Sequence, residues 1–322
     1  MAQAIHTKRI TRFDNIIFAG GIMTACASNA AWGSKIIPQL DLLVHFQVQY
    51  ACTLFLCLLL LLYRRALAWA IIVAFFLLFP LSRIAPLYFS NLQESDAPTL
   101  NIVSSNVRYT NKNYGSLIDA VNTIKPDVVI VQEATHDWND ALFELHQNYP
   151  FRILHPESGP RGMLLLSKKR LIEPQIVIHP LTKHSTISTS IQLEDCLIHL
   201  IATHPFRPGL LHGARLLTKE LKAITELVGI NSEHTIVIGD LNTTMWSTTY
   251  IDFVNASNLS NLRQGRGVLP SWSRIIPWIS AIPIDHCLVG KGLEGMSFKL
   301  LPIEGSDHCA MHAVVQVAKT KD

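Results

Sequence analysis

The segment HTIVIGDLN, residues 234–242, is a run of mostly β-branched residues that ends in an acid and an amide. Threonine, isoleucine and valine favour a pleated strand, so residues 235–238 predict a buried strand. Asp240 and Asn242 stand where the chain leaves this strand, a position that usually belongs to turn-forming residues. Taken alone, the segment predicts only a strand and a turn. Whether it belongs to a functional site depends on the residues at the ends of the other strands.

Five other apolar strands have polar residues at one end, where a chain enters or leaves a sheet. They are Asn106 after LNIVSS, Glu133 after DVVIVQ, His204 after LIAT, Asp285 after IPI, and Asp307 with His308 before the last strand. Burying such acids together costs on the order of several kcal/mol per ion unless a cation or a substrate compensates their charge. The repetition therefore predicts one shared site rather than six separate turns.

The segments between these strands predict the architecture. Helices are expected over Tyr114–Ile124 and His136–Gln147, and a third has an apolar face at Leu217, Leu221, Ile224 and Val228. Strands outnumber helices, and many are separated by hairpin-like connections. This pattern favours two packed sheets flanked by helices, with a long loop between residues 243 and 282.

The residue types at the strand ends suit the hydrolysis of phosphate esters. Carboxylate and amide oxygens are the ligands that Mg²⁺ prefers. A bound cation neutralises phosphate charge, a positioned base activates water, and neutral or cationic donors hold the phosphate oxygens. The six cysteines include no C-x-x-C pair, so a structural zinc site is not expected.

These motifs resemble those of the endonuclease/exonuclease/phosphatase superfamily, in its membrane-anchored bacterial type. The resemblance covers about residues 100–317, and six motifs occur in the family order: SSNV, VVIVQEA, THP, GDLN, IDHCLV and SDHCAM. It implies an α/β (α+β) fold, a four-layer α/β/β/α sandwich, and dependence on Mg²⁺ or Mn²⁺. The implied metal ligands are Glu133 as the principal one, with Asn106 and Asp307 helping directly or through water.

The resemblance also implies catalytic roles. Asp240 would orient or deprotonate the attacking water, while Asn242 and His204 would contact the phosphate. His308 would be the catalytic histidine, held and polarised by Asp285. Whether His308 or Asp240 takes the proton is left open by the sequence.

Three further residues are candidates for substrate binding. Arg161, in GPRGMLLLSK, and Arg207, after THP, are expected to hold a substrate phosphate; the alternative for each is a solvated surface charge. Trp272 lies in the loop before Asp285, which should overhang the site. It is expected to stack on a base, with contact to a membrane interface or packing in the core as alternatives.

Residues 1–90 differ in composition from the rest of the chain. Three apolar segments, at about residues 16–32, 42–63 and 66–82, predict transmembrane helices. A buried core helix is the alternative for each, and a cleaved signal peptide is a second alternative for the first. Residues 91–99 are expected to be a linker, and residues 100–322 the catalytic domain.

The distribution of basic residues predicts the orientation of these segments. Lys8, Arg9 and Arg12 precede the first segment, and Arg64 and Arg65 separate the second from the third. Placing both groups in the cytoplasm follows the positive-inside rule. The expectation is a multi-pass protein of the bacterial inner membrane with an extracytoplasmic, periplasmic catalytic domain.

Three functions are compatible with the sequence. The preferred one is a membrane-anchored phosphodiesterase or nuclease. The alternative is a lipid phosphodiesterase (sphingomyelinase-like) or phosphatase, which the predicted membrane tether favours. Residues 91–322 have 20 basic and 22 acidic side chains, which argues against a processive nuclease. A non-catalytic binding module is the third; no protein partner is predicted.

Overall fold

The computed structural model describes residues 11–89, 98–209, 212–229, 232–273 and 279–318. The chain divides into two compact units, Met1–Pro86 and Leu87–Asp322. The linker expected at 91–99 falls mostly outside the described residues, and the domain boundaries remain a prediction.

The first unit is helical. Its helices are α1 (Arg12–Ser28), α2 (Gln47–Tyr63) and α3 (Leu67–Ile84), with 3₁₀ turns at Ala30–Gly33 and Pro38–Phe46. Two stretches, Pro38–Tyr63 and Leu67–Tyr88, are long and apolar enough to cross a membrane. Length and apolar composition are weak evidence for a span, because core helices and signal sequences share them. The first predicted segment overlaps α1, a helix of 17 residues, and its role as a membrane span remains a prediction.

Polar contacts pair the ends of these helices. Arg64, after α2, donates to the Asp14 carboxylate and, at 2.9 Å, to Thr11 Oγ1 at the start of α1. At the other end, Ser28 Oγ donates to Gln47 Oε1 at 2.8 Å, and Arg83 donates to the Ser28 carbonyl oxygen. Consecutive helices of this unit therefore run in opposite directions.

The described residues of the second unit form twelve strands in two sheets. They are β1 (Thr99–Asn106), β2 (Val128–Gln132), β3 (Phe151–His155), β4 (Met163–Ser167), β5 (Leu171–Ile178), β6 (Ser185–Leu193), β7 (Cys196–Thr203), β8 (Thr235–Asp240), β9 (Ser260–Asn261), β10 (Asp285–Val289), β11 (Leu293–Pro302) and β12 (Cys309–Val317). The first sheet has the order β11-β12-β1-β2-β4-β3, and the second β5-β6-β7-β8-β10-β9.

Helices cover the outer face of each sheet. They are α4 (Gly115–Ile124), α5 (His136–Ala141), α6 (Gly213–Val228) and α7 (Thr248–Ser257). One apolar core lies between the sheets, a second joins the first sheet to α4 and α5, and a third joins the second sheet to α6 and α7. Each sheet thus buries both faces, which confirms the predicted α/β/β/α sandwich.

Two element predictions were wrong. The expected helix over residues 136–147 is α-helical only to Ala141 and continues as a 3₁₀ turn at Leu142–Leu145. The expected long loop contains α7, whose first turn is capped by Ser247 Oγ accepting from the Tyr250 N–H at 3.3 Å. Its polar and β-branched sequence, TTYIDFVNAS, hides the weak apolar face from a periodicity argument.

Strand direction brings the polar strand ends to one edge. β1 pairs with β2 in parallel, and β7 pairs with β8 in parallel, so both pairs end at the same edge of their sheets. β10 runs antiparallel to β8, with Asp285 opposite Asp240. β12 runs antiparallel to β1, so the start of β12 lies beside the end of β1.

Candidate active site

An amide joins the two sheets at this edge. Asn106 Nδ2, at the end of β1, lies 3.1 Å from Glu133 Oε1 and 3.1 Å from Asp240 Oδ2, and donates to both. Glu133 follows β2, and its other oxygen accepts from the Tyr109 backbone N–H at 3.0 Å. Two carboxylates from different sheets therefore share one amide group.

A second contact between the sheets lies beneath Asp240. Gln132 Oε1 accepts from the Asp240 N–H at 3.3 Å, and Gln132 Nε2 donates to Ser104 Oγ at 3.1 Å. Gly239 allows β8 to pack closely against the end of β7: its φ is +148°, and a Cβ there would lie 1.9 Å from the Thr203 carbonyl oxygen. The glycine of the GDLN motif is thus required by backbone packing.

His308 and Asp285 form a buried pair at the same edge. His308 Nδ1 lies 2.9 Å from Asp285 Oδ2, and His308 Nε2 lies 3.7 Å from Asp240 Oδ2. Ser271 Oγ fixes the backbone of Asp285 by accepting from its N–H at 3.1 Å. The carboxylate of Asp285 can therefore orient the ring, while the other ring nitrogen faces Asp240.

The surroundings shift the pKa of each of these groups. Burial lowers the pKa of His308, but the charges of Asp285 and Asp240 outweigh burial and raise it to about 10. Burial raises the pKa of Asp240, and the nearby Asp285 charge adds to this. Burial opposes ionisation of Asp285 as well, but the charge and hydrogen bond of His308 lower the pKa of Asp285. His308 is therefore an imidazolium at neutral pH.

His204 and Asn242 complete the cluster on the second sheet. His204 Nε2 lies 3.5 Å from Asp240 Oδ2 and 3.9 Å from Glu133 Oε1. Burial, with the charges of His184 and His308, lowers the pKa of His204 to about 3, so its ring is neutral. Asn242 donates its backbone N–H to Asp240 Oδ1 at 2.8 Å and its amide to the Pro205 carbonyl oxygen at 3.0 Å.

The remaining predicted residues have other surroundings in the fold. Asp307 Oδ2 accepts from Trp272 Nε1 at 3.1 Å, and the Trp272 ring lies 6.3 Å from the His308 ring. Arg161 is exposed, with Nη2 3.7 Å from Glu157 Oε2, and Arg207 is exposed. The structure thus brings Asn106, Glu133, His204, Asp240, Asp285 and His308 together, whereas the roles of these outer residues remain predictions.

Several supporting residues were not identified from the sequence. Gln132 and Ser271 are described above, and Ser306 Oγ donates to the Asn106 carbonyl oxygen at 2.7 Å while accepting from the His308 N–H at 3.0 Å. Arg263 is fully buried and donates to the Asp285 carbonyl oxygen at 2.6 Å. A polar residue closing an otherwise apolar strand was the only signal available for Gln132.

Two groups of side chains could hold a cation. Ligand atoms of Asp240, Asp285 and His308 lie within 4.8 Å of one another. Because His308 already hydrogen-bonds to Asp285, a histidine–aspartate pair explains this group better than a metal site does. The carboxylate oxygens of Glu133 on the first sheet are the donor type that suits Mg²⁺, whereas Asn106 presents Nδ2 to the cluster and its Oδ1 accepts from the Arg108 N–H at 3.0 Å.

The endonuclease/exonuclease/phosphatase family model matches residues 103–308, well over half of the chain. The chain belongs to this family. The match confirms the resemblance seen in the motifs, and membership supports a hydrolase of phosphate esters. No curated protein matches the sequence significantly.

Solved structures share the fold of the second unit. D. rerio TDP2 complexed with a single-strand DNA product is 16% identical, with a TM-score of 0.58, and the match covers 68% of this chain and 99% of that chain. The endonuclease/exonuclease/phosphatase from Beutenbergia cavernae DSM 12333 is 13% identical, with a TM-score of 0.56, covering 69% of this chain and 72% of that one. At such identities the likeness concerns the fold alone.

Proposed function

We propose that the second unit is a divalent-metal-dependent phosphodiesterase or nuclease, that the first unit anchors it to the bacterial inner membrane, and that it acts on the extracytoplasmic side. The observation that carries this proposal is the convergence of two sheets on one cluster. Glu133, Asp240 and His308 come from strand ends far apart in the sequence and are linked there through Asn106 and a 3.7 Å contact.

The residues of the first sheet are the proposed cation ligands. Glu133, with Asn106 and Asp307, would hold Mg²⁺ or Mn²⁺, and the bound ion would neutralise charge on the phosphate and its leaving oxygen. The carboxylate oxygens of Glu133 and Asp307 are the donor type that such an ion prefers, and Asn106, whose Oδ1 accepts from the Arg108 N–H, would help through water.

The remaining residues of the cluster are the proposed proton-transfer and phosphate-binding groups; they come from the second sheet, except for His308, which precedes β12 of the first sheet. Asp240 would orient or deprotonate the attacking water, and Asp285 would hold the His308 imidazolium against the developing negative charge. His204 and Asn242 would contact phosphate oxygens. Arg161, Arg207 and Trp272 would bind the remainder of the substrate from outside the cluster.

The polar contacts within the first unit support the proposed membrane orientation. Arg64 contacts Thr11 and Asp14, so the start of α1 and the turn after α2 share one end of the helical unit. Arg12, Arg64 and Arg65 therefore lie on one side of the proposed membrane, as the positive-inside rule expects for the cytoplasm. The helix α3 then ends on the opposite side.

A nucleic-acid substrate is preferred over a lipid. The TDP2 structure of similar fold contains single-strand DNA, and Trp272 at the edge of the cluster is a candidate stacking platform. The proposed anchor favours the alternative, a lipid phosphodiesterase or phosphatase, because it would keep the site near phospholipid headgroups. A non-catalytic binding module is the third possibility, against which the intact cluster argues.

Hydrolysis by the purified full chain in detergent tests this proposal. Single-stranded DNA, duplex DNA, sphingomyelin and bis(p-nitrophenyl) phosphate are incubated separately with Mg²⁺, and His308→Ala serves as the inactive control. We expect DNA cleavage that EDTA stops and that added Mg²⁺ or Mn²⁺ restores. Cleavage of sphingomyelin alone favours the lipid enzyme. A folded, metal-supplemented protein that cleaves no phosphate ester contradicts the enzymatic proposal.

A further inference from the structure

The Pro205–Phe206 peptide group, one residue beyond His204, is held from both sides. Its carbonyl oxygen, on Pro205, accepts from Asn242 Nδ2 at 3.0 Å, and its N–H, on Phe206, donates to Glu220 Oε2 at 2.7 Å. Asn242 follows β8, whereas Glu220 lies in α6 on the outer face of the same sheet. The Pro205–Phe206 peptide therefore cannot rotate without breaking one of two hydrogen bonds.

Glu220 is a buried acid outside the catalytic cluster. Its residue is 3% exposed, and its other oxygen accepts from the Thr182 hydroxyl and lies 3.5 Å from His179 Nδ1 and 3.6 Å from His184 Nδ1. Burial alone would raise the pKa of Glu220, but His184, Thr182 and the Phe206 N–H lower it. The carboxylate is thus ionised and surrounded by groups able to donate to it.

A second contact leads from this group to His204. The His184 ring lies 5.6 Å from the His204 ring and 5.6 Å from the Phe206 ring. Glu220 therefore ties the turn between β5 and β6 to the loop after β7, next to the imidazole that faces Asp240. Nothing in the proposed hydrolysis uses this carboxylate directly.

We propose that Glu220 is a positioning residue, which fixes the His204 imidazole against Asp240 and the substrate phosphate by holding the Pro205–Phe206 peptide. This inference rests on the proposed function, in which His204 contacts the phosphate. Its physical basis is the sensitivity of catalysis to placement, since a displacement of about 1 Å costs up to ~100-fold in rate. The role is distinct from stabilising the fold, because its effect on the rate requires the His204 ring.

A double-mutant cycle with His204 tests the inference. The kcat/KM of the full chain on bis(p-nitrophenyl) phosphate with Mg²⁺ is measured for Glu220→Ala, Glu220→Gln and Glu226→Ala. The last is the matched control, an exposed acid on the same helix. We expect Glu220→Ala to lower kcat/KM by about tenfold or more. Glutamine keeps an acceptor for the Phe206 N–H and should recover most of the loss, and the control should remain within about twofold of wild type.

The effect of Glu220→Ala must depend on His204. In a His204→Ala background we expect Glu220→Ala to lower kcat/KM by less than about twofold, because the positioned ring is already absent. An equal loss in both backgrounds, or activity matching Glu226→Ala, overturns the inference. These outcomes require an active wild type, so a wild type that cleaves no phosphate ester is recognised as failure of the proposed function instead.

Hydrogen exchange in the wild-type chain tests whether Glu220 holds the Phe206 N–H, and it needs neither activity nor a mutant. The Phe206 amide should exchange at least ~100-fold more slowly than an unprotected loop amide, because its N–H is bonded to a buried carboxylate. Exchange at the unprotected rate overturns the inference even if Glu220→Ala fails to fold. Where that variant does fold, faster exchange confined to the loop after β7 is the expected result.

Discussion

The two sheets of the second unit share an internal plan and contribute different chemistry. Each has a central parallel pair, β1–β2 or β7–β8, flanked by antiparallel strands. The first sheet ends in Asn106 and Glu133, an amide and an acid whose side chain is 16% exposed. The second ends in His204 and Asp240, an imidazole beside an acid that is 2% exposed. A partly accessible acid suits cation binding, and a buried acid beside imidazoles suits proton transfer.

The largest expected effects separate the proposed cation ligands from the proposed proton-transfer groups by their metal dependence. Glu133→Gln and His308→Ala should each lower kcat by about 100-fold or more, the scale of losing one preorganised group. Only Glu133→Gln should also raise the Mg²⁺ concentration needed for half-maximal rate. Steady-state rates across a Mg²⁺ titration measure both effects, with the exposed Glu304→Gln as control. Identical Mg²⁺ dependence of the rate for Glu133→Gln and wild type would contradict the proposed division into cation ligands and proton-transfer groups.

A smaller effect on activity is expected where one residue acts through another. Asp285→Asn keeps a side chain of the same shape beside His308 but removes the charge that holds the imidazolium. We expect kcat to fall by about tenfold, at the lower end of the range for losing acid–base assistance. The pH profile should also shift to lower pH, since the carboxylate of Asp285 raises the pKa of His308. An unchanged profile argues against the pair acting together.

The contact between the sheets should matter for stability as well as for the site. Gln132→Leu leaves the Asp240 N–H and Ser104 Oγ without their buried partner. An unsatisfied buried polar group costs about 1–3 kcal/mol in free energy of unfolding. Urea unfolding in detergent, followed by tryptophan fluorescence, measures the loss. Gln175→Leu, at an exposed position, is the control, and equal midpoints for the two variants would contradict the role given to Gln132.

The last expected effect concerns acid stability and leaves the catalytic cluster intact. Burial lowers the pKa of His286 to about 3, whereas the unfolded chain binds the proton near pH 6.5. Between these values the unfolded state holds more protons, so the stability contributed by neutral His286 is present above pH 6.5 and lost as the pH falls. The loss has a limiting slope of about 1.4 kcal/mol per pH unit. His286→Gln should flatten the fall of Tm from pH 6.5 to 4, whereas the exposed His212→Gln should not.

The sequence predicted the sandwich and the six polar strand ends, because both follow from local patterns of residue type. It could not predict which strands are neighbours, and the supporting contacts depend on that. Gln132 reaches Asp240 across 108 positions of sequence, and Arg263 reaches the Asp285 carbonyl oxygen from a loop without periodicity. Exposed Arg161 and Arg207 follow motifs, yet their positions depend on loop conformations that no local pattern specifies.

Binding of Mn²⁺ to the full chain, measured by the electron paramagnetic resonance signal of the free ion, tests the central claim most directly. The claim is that acids and amides from separate strands form one cation site, with the proton-transfer groups beside it but not part of it. Wild type and His308→Ala should therefore bind Mn²⁺, and Glu133→Gln should lose that binding. A wild type that binds no Mn²⁺, or a Glu133→Gln variant that binds it as wild type does, would contradict the account.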